Sequence, residues 1–238
     1  MYKKKILVAI LLIGVVVGGI FAYTVYSSIF LPNTAFENEK AYLFIASEVS
    51  FDEVMEDIAP LLNDVNSFVE VAKRKGYIAN VKPGHYTIKK GMNNNEIINS
   101  IRSNNIPVKV SFNNQERLEN LAGRVAAQLE IDSLTLLKAM KSPEFLKKHG
   151  LNSKTALSMY IPNSYEFFWN SSAEEFRDRM LTEYKRFWNN DRIAKARALK
   201  LTKSEVYTIA SIVQKETAKV DERPRVAGVY LNLSLIHI

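Results

Sequence analysis

Residues 203–217, KSEVYTIASIVQKET, place a single carboxylate where a helix would carry apolar side chains. At about 100° per residue, Val206, Ile209, Ala210, Val213 and Thr217 share one face. Glu216 falls at the edge of that face, between the directions of Ile209 and Ile212, while Lys203 and Lys215 point elsewhere. A carboxyl group walled by Ile and Val binds its proton more tightly, because burial disfavours the charged form. Such an acid stays protonated near neutral pH and can give its proton to a leaving oxygen. The residues leave a second reading open, in which Glu216 closes the stripe and pairs with an arginine of the DERPR segment that follows. Spacing alone does not choose between them.

Other chemistry is thinly represented. The 238 residues contain no cysteine, which removes disulfides, thiolate nucleophiles and cysteine metal sites. The histidines, His85, His149 and His237, are far apart and lack ligand-like spacing, so no metal site and no cofactor is expected. Hydrophobic residues make up 47% of the chain, enough for one or two domains with a sizeable core. The net charge of +7 is spread among acids. No basic stripe interleaves with aromatics, so nucleic acid is not an expected partner. A basic surface suits an anionic polymer such as a cell wall.

The helix must be carried by something, and the N-terminus sets where. Lys3-Lys4-Lys5 precedes an uncharged run from Ile6 to Tyr23, roughly the length that spans a bilayer core. The uncharged character continues to Pro32, with Tyr23 and Tyr26 at interfacial positions. The expectation is an uncleaved single-pass anchor over residues 6–30, N-terminus in the cytoplasm and the bulk of the chain outside. A cleaved signal peptide is the competing reading, but the run is long and no clear A-x-A site follows it.

Beyond the anchor the fold class is α+β. Residues 33–40 read as a linker. Ala41–Ala46 reads as a strand, SFDEVMEDIAPLL as a helix capped by Ser50, NSFVEVAKRKG as a helix closed by Gly76, and His85–Lys89 as a strand after a Pro83-Gly84 turn. A short helix in NNNEIINSIRSN and a strand from Ile106 to Phe112 complete a small α+β module at 41–112. Asn93-Asn94-Asn95 reads as a capping turn rather than a sugar site. From 113 the chain is mainly helical, with Leu118, Leu121, Val125 and Leu129 on one stripe. SMYIPNSYEFFWNSS reads as an aromatic-rich irregular segment entering a helix at Ser172. Residues 211–230 read as helical and largely apolar.

The segment IASIVQKETAKVDERPRVAGVYLN resembles the signature of the YceG-like (MltG) family of endolytic murein transglycosylases, ASIVxKET followed by ER-x-x-VA-x-V-(F/Y)-x-N. MYIPNSYEF resembles that family's L-(F/Y)-P-(D/N)-(S/T)-Y element, with Pro162, Asn163, Ser164 and Tyr165 in the matching places. PGHYTIKKGMNNNEIINSI resembles its PG-x-Y-x-(I/F)-xx-GM segment, in the region likened to a LysM domain. Three separated elements occur in the right order over nearly the whole chain.

The resemblance implies a LysM-like module at 41–112 and a catalytic domain over 113–232, with Glu216 as the catalytic acid. Relatives that carry Glu where this chain has Gln214 show that position to be replaceable. The implied reaction cleaves the β-1,4 bond between N-acetylmuramic acid and N-acetylglucosamine without water, leaving a 1,6-anhydro end. The implied partners are peptidoglycan glycan strands and the transpeptidase and glycosyltransferase complexes of wall synthesis. Asn163 and Tyr165 would line the glycan groove, Tyr165 by stacking, although core packing explains Tyr165 equally well. Glu222 and Arg223 would pair and orient the segment after the helix, with a solvated turn as the competing reading. A non-catalytic, anchored wall-binding or scaffold protein is the alternative function.

The sequence departs from the family after Asn232. The family continues with an R-L-x-x-G-M-like stretch, whereas this chain reads LSLIHI. Those residues match the translation of a transposase end sequence used in sequencing libraries, with chance similarity as the competing reading. The expectation is a non-native tail at 233–238 and a catalytic domain that is incomplete.

Overall fold

The computed structural model describes residues 2–236, and the side chains of residues 6, 7 and 10–233. His237 lies outside the described residues, as does the last part of the segment expected to be a non-native tail. The chain is a mixture of helices and two small sheets, divided into two compact units. The first unit comprises Met1–Val110, Gln128–Glu130 and Glu166–Ser171, and the second comprises Ser111–Ala127, Ile131–Tyr165 and Ser172–Ile238. The sequence suggested one cut near 112. Instead, two later stretches belong to the first unit, an exchange that no local pattern announces.

In the first unit, α1 (Tyr2–Phe30) is followed by β1 (Lys40–Ile45), α2 (Phe51–Ile58), α3 (Val65–Arg74), β2 (Gly84–Lys89) and α4 (Asn94–Ser103). Residues Ile10–Phe30 have a mean hydropathy of 2.1, long and apolar enough to cross a membrane. β1 and β2 pair antiparallel, from Lys40 opposite Lys89 to Ile45 opposite Gly84. Leu43 and Ile45 point inward, with Tyr86 and Ile88 from β2, while Tyr42 and Phe44 are exposed on the other face. The inner face is closed by Ile58 of α2, Phe68 and Val71 of α3, and Ile97, Ile98 and Ile101 of α4. The helix starts are set locally. Ser50 with Glu53, and Asn93 with Glu96, form reciprocal capping boxes, and Gly76 leaves α3 with φ of 66°.

Residues 33–40, expected to be a linker, are instead tied into this unit. Asn33 Nδ2 donates to the Asp64 carbonyl (2.8 Å) and to Asn94 Oδ1 (2.7 Å), and the Asp64 amide donates to Asn33 Oδ1 (2.6 Å). Asn94 Nδ2 donates to the Ser28 carbonyl of α1 (2.7 Å) and to Ser67 Oγ (3.0 Å). Thr34 forms a bridge with Leu62, and its hydroxyl accepts from the Gly91 amide at 2.8 Å. Polar composition suggested a solvated tether. The amides are polar because they satisfy one another inside the unit.

Gly84 is where the Pro-Gly turn becomes indispensable. Its φ of 149° is strained for any L side chain, and an added Cβ would sit 2.5 Å from Asn105 Cγ. Asn105 cannot easily withdraw, since its Oδ1 accepts from the His85 amide at 3.0 Å and its Nδ2 donates to Asn170 Oδ1 at 3.1 Å. Gly84→Ala is therefore expected to destabilise the protein by about 3 kcal/mol. Denaturant unfolding would read this as a lower midpoint with an unchanged slope.

β3 (Pro107–Phe112) pairs with β4 (Asn163–Phe168) in the second sheet. β4 was not expected. Its Tyr165 and Phe167 are buried and alternate with exposed neighbours, but Pro162 and the polar Asn163-Ser164 disguise the period. The second unit contains α5 (Leu118–Ala126), α6 (Ser133–Met140), α7 (Pro143–Lys148), α8 (Ala173–Phe187), α9 (Asn190–Ala198), α10 (Lys203–Glu216) and α11 (Arg223–Ile236). Leu118, Leu121 and Val125 of α5 are buried as their stripe requires. α6 packs between α5 and α8, with Leu136, Met140, Phe176 and Met180 all inaccessible to solvent.

Candidate active site

Thr202 starts α10 with a capping box to Glu205, and no Gly or Pro interrupts the helix before Glu216, its last residue. Thr217 then turns extended, at φ −143° and ψ 133°. The continuous apolar helix suggested over 211–230 is thus broken at 217–222, and α11 returns to pack against α10. Pro224 sits in the first turn of α11, where its missing N–H is harmless.

The break is held by side chains. Thr217 is buried, and its hydroxyl donates to Glu222 Oε2 (2.8 Å) while accepting from the Lys219 amide (3.1 Å). Lys219 Nζ lies 3.3 Å from Glu222 Oε1. Glu222 is therefore a clamp within the turn. Its expected pairing with Arg223 is not formed: among the described residues Arg223 Nε is buried without a hydrogen-bond partner. The reason is geometric. Arg223 opens α11 and lines an apolar groove of about 580 Å³, whereas Glu222 faces back to Thr217.

That groove also corrects the expectation for Glu216. Val206, Ile209 and Val213 of α10 line it together with Pro224, Ala227 and Leu231 of α11. The apolar face of the helix is spent there, and Glu216 at the helix end is exposed rather than walled by Ile and Val. Nor, among the described residues, does it pair with an arginine. Its Oε1 accepts a hydrogen bond from the Tyr230 hydroxyl at 2.9 Å, and its Oε2 has no hydrogen-bond partner among the described residues. The carboxylate beside it holds the Tyr230 phenol above its usual range, through that hydrogen bond first, with burial and charge repulsion adding to it.

Two more residues stand beside this helix end. Asn114 Nδ2 donates to Gln214 Oε1, and Lys215 forms an ion pair with Glu116, which keeps the Glu116 carboxyl below its usual range. Tyr230, Asn114 and Glu116 were missed in the sequence. Tyr230 lies within the resemblance but carried no assigned role, and Asn114 and Glu116 are about a hundred positions away.

Asn163 and Tyr165 fall elsewhere in the same unit. Asn163 is exposed, and its Oδ1 accepts from the Ser164 amide at 2.8 Å. Tyr165 is buried, its ring stacked against Phe112 at 5.7 Å and its hydroxyl donating to the Ile161 carbonyl at 2.6 Å. Its ring is committed to the core, so it is not a platform for a sugar. Neither residue hydrogen-bonds to the Glu216 group among the described residues. No cluster of three or more His, Asp or Glu suited to a metal occurs among them either.

The chemistry available is that of one carboxylate with one oxygen held by a phenol and the other open, able to give and take a proton. A family model described as the YceG-like family matches residues 43–233. No curated protein matches the chain. Among solved structures, a crystal structure of a YceG-like protein from Listeria monocytogenes aligns at 21% identity, covering 79% of this chain and 67% of that one, with a TM-score of 0.48.

Proposed function

Because the chain belongs to the YceG-like family, we propose that it is a membrane-anchored endolytic lytic transglycosylase of peptidoglycan. The observation that carries this reading is Glu216, the acid of the KET triplet, presented at the end of α10 with one oxygen held and the other open. In the proposed reaction Glu216 protonates the glycosidic oxygen between N-acetylmuramic acid and N-acetylglucosamine, and the C–O bond breaks. The resulting carboxylate then takes the proton of the muramoyl C6 hydroxyl as that oxygen bonds to the anomeric carbon. The proton balance closes on one residue, with no water consumed. Hydrolytic glycosidases generally need two carboxylates because a water must also be activated or a covalent intermediate formed.

The apolar helix α1 would be an uncleaved anchor with its N-terminal lysines in the cytoplasm, placing the chain that follows it outside the membrane. The enzyme would then end growing glycan strands beside the wall-synthesis machinery. The exposure of Glu216 favours a second reading, an anchored wall-binding or scaffold protein without catalysis.

The products separate the two. Incubated with glycan strands, the protein is expected to release fragments with 1,6-anhydro ends, one water lighter than hydrolysed ends. Binding to sacculi with no anhydro ends released would establish the scaffold reading instead.

A further inference from the structure

The exposed end of a helix is a poor place for an acid that must meet one particular oxygen. A free glutamate there samples several rotamers, and each orientation offers a different oxygen to the substrate. Tyr230 removes that freedom. It comes from α11, fourteen residues on, and its hydroxyl lies 2.9 Å from Glu216 Oε1. The clamp of Thr217, Glu222 and Lys219 fixes the turn that brings α11 back.

We infer that Tyr230 is a positioning residue for Glu216, holding Oε1 so that Oε2 is the oxygen that exchanges the proton with the glycan. This rests on the reading of Glu216 as the catalytic acid. The bond is compatible with both halves of the reaction. When Glu216 is protonated, the proton sits on Oε2 and the phenol donates to the carbonyl-like Oε1. When Glu216 is ionised, the phenol donates to the carboxylate, a stronger bond because one partner is charged. Beside the ionised Glu216 the phenol stays protonated, since that carboxylate opposes its ionisation. The family signature takes Phe or Tyr at this place, so the hydroxyl is a refinement of this chain rather than a requirement of the reaction.

The test has two arms. In the first, tyrosine labelled at Cζ is titrated by NMR, with the signal of Tyr230 assigned by its absence from Tyr230→Phe. Glu216→Gln is expected to lower the Tyr230 midpoint, because the charge that opposes phenolate formation is gone. An unmoved midpoint would mean that the hydrogen bond does not exist in solution, and the inference falls whatever the activity.

In the second arm, Tyr230→Phe is expected to lower kcat about tenfold, the worth of a hydrogen bond to a charged group, with KM and Tm unchanged. A kcat equal to that of the parent protein would overturn the positioning role even if the midpoint moves. A fall in kcat matched by a lower Tm and a raised KM would assign Tyr230 to packing. If the unaltered protein makes no anhydro ends, the catalytic reading fails and takes this role with it. An active protein with an unmoved midpoint sinks this role alone.

Discussion

Glu216→Gln is expected to cut the formation of 1,6-anhydro ends by on the order of 10²–10⁴-fold, the usual worth of a positioned general acid–base. The substitution is nearly isosteric and keeps an oxygen to accept from Tyr230, so the local arrangement survives. What is lost is the exchangeable proton, and one residue supplies it in both steps of the proposed reaction. Because Glu216 is exposed, stability should change by no more than about 0.5 kcal/mol. Binding to sacculi should persist. The measurement is the yield of anhydro-ended fragments from glycan strands beside a sacculus pull-down of the same preparation. Undiminished cleavage by the variant would remove Glu216 from the mechanism.

Asn94→Ala is expected to have the largest effect on stability. Asn94 is 1% exposed and joins three elements, accepting from Asn33 and donating to the Ser28 carbonyl of α1 and to Ser67 Oγ of α3. Alanine fills none of these roles. It leaves the Nδ2 group of Asn33 with only the Asp64 carbonyl as acceptor, and the Ser28 carbonyl without its side-chain donor. Each buried polar group stranded in this way costs about 1–3 kcal/mol, so a loss of about 3–4 kcal/mol is expected. The loss should be local in character too. Hydrogen exchange in detergent should speed up at residues 28–35, where α1 is joined to the rest of the first unit, before it does in the β1–β2 sheet. Exchange that rises uniformly would show that the amide network serves the whole unit rather than the junction.

This junction bears on the proposed activity. With residues 33–40 bonded to the unit, the chain leaves α1 without a free tether. If α1 spans the membrane, the rest of the first unit is held at a fixed distance from it, and Asn94→Ala would loosen that hold.

Much of the fold was legible along the chain, for a physical reason. A helix cap is closed by residues three apart, so Ser50 and Ser172 could each be named as starts, and each makes its capping bond. The strand–helix–helix–strand order of the first unit and the buried stripe of Leu118, Leu121 and Val125 likewise follow from periodicity, which is local. The three matched elements named the family, and the family model agrees. The sequence by itself therefore determined most of the elements, though not β4 or the break after α10, together with the apolar N-terminal helix and the candidate acid.

Tertiary structure decided what those residues face. Whether an apolar stripe buries the acid at its edge depends on which partner covers the stripe, and here α11 and the groove take Val206, Ile209 and Val213 while Glu216 stays outside. Tyr165 could have stacked on a sugar until Phe112 took its ring and Ile161 its hydroxyl. Asn33 looked like linker because its partners, Asp64 and Asn94, stand thirty-one and sixty-one positions away. The Tyr230 bond to Glu216 exists only because the chain breaks at Thr217 and folds back. Hydrogen bonds and burial are set by proximity in space, and a sequence carries that information only for neighbours a few residues apart.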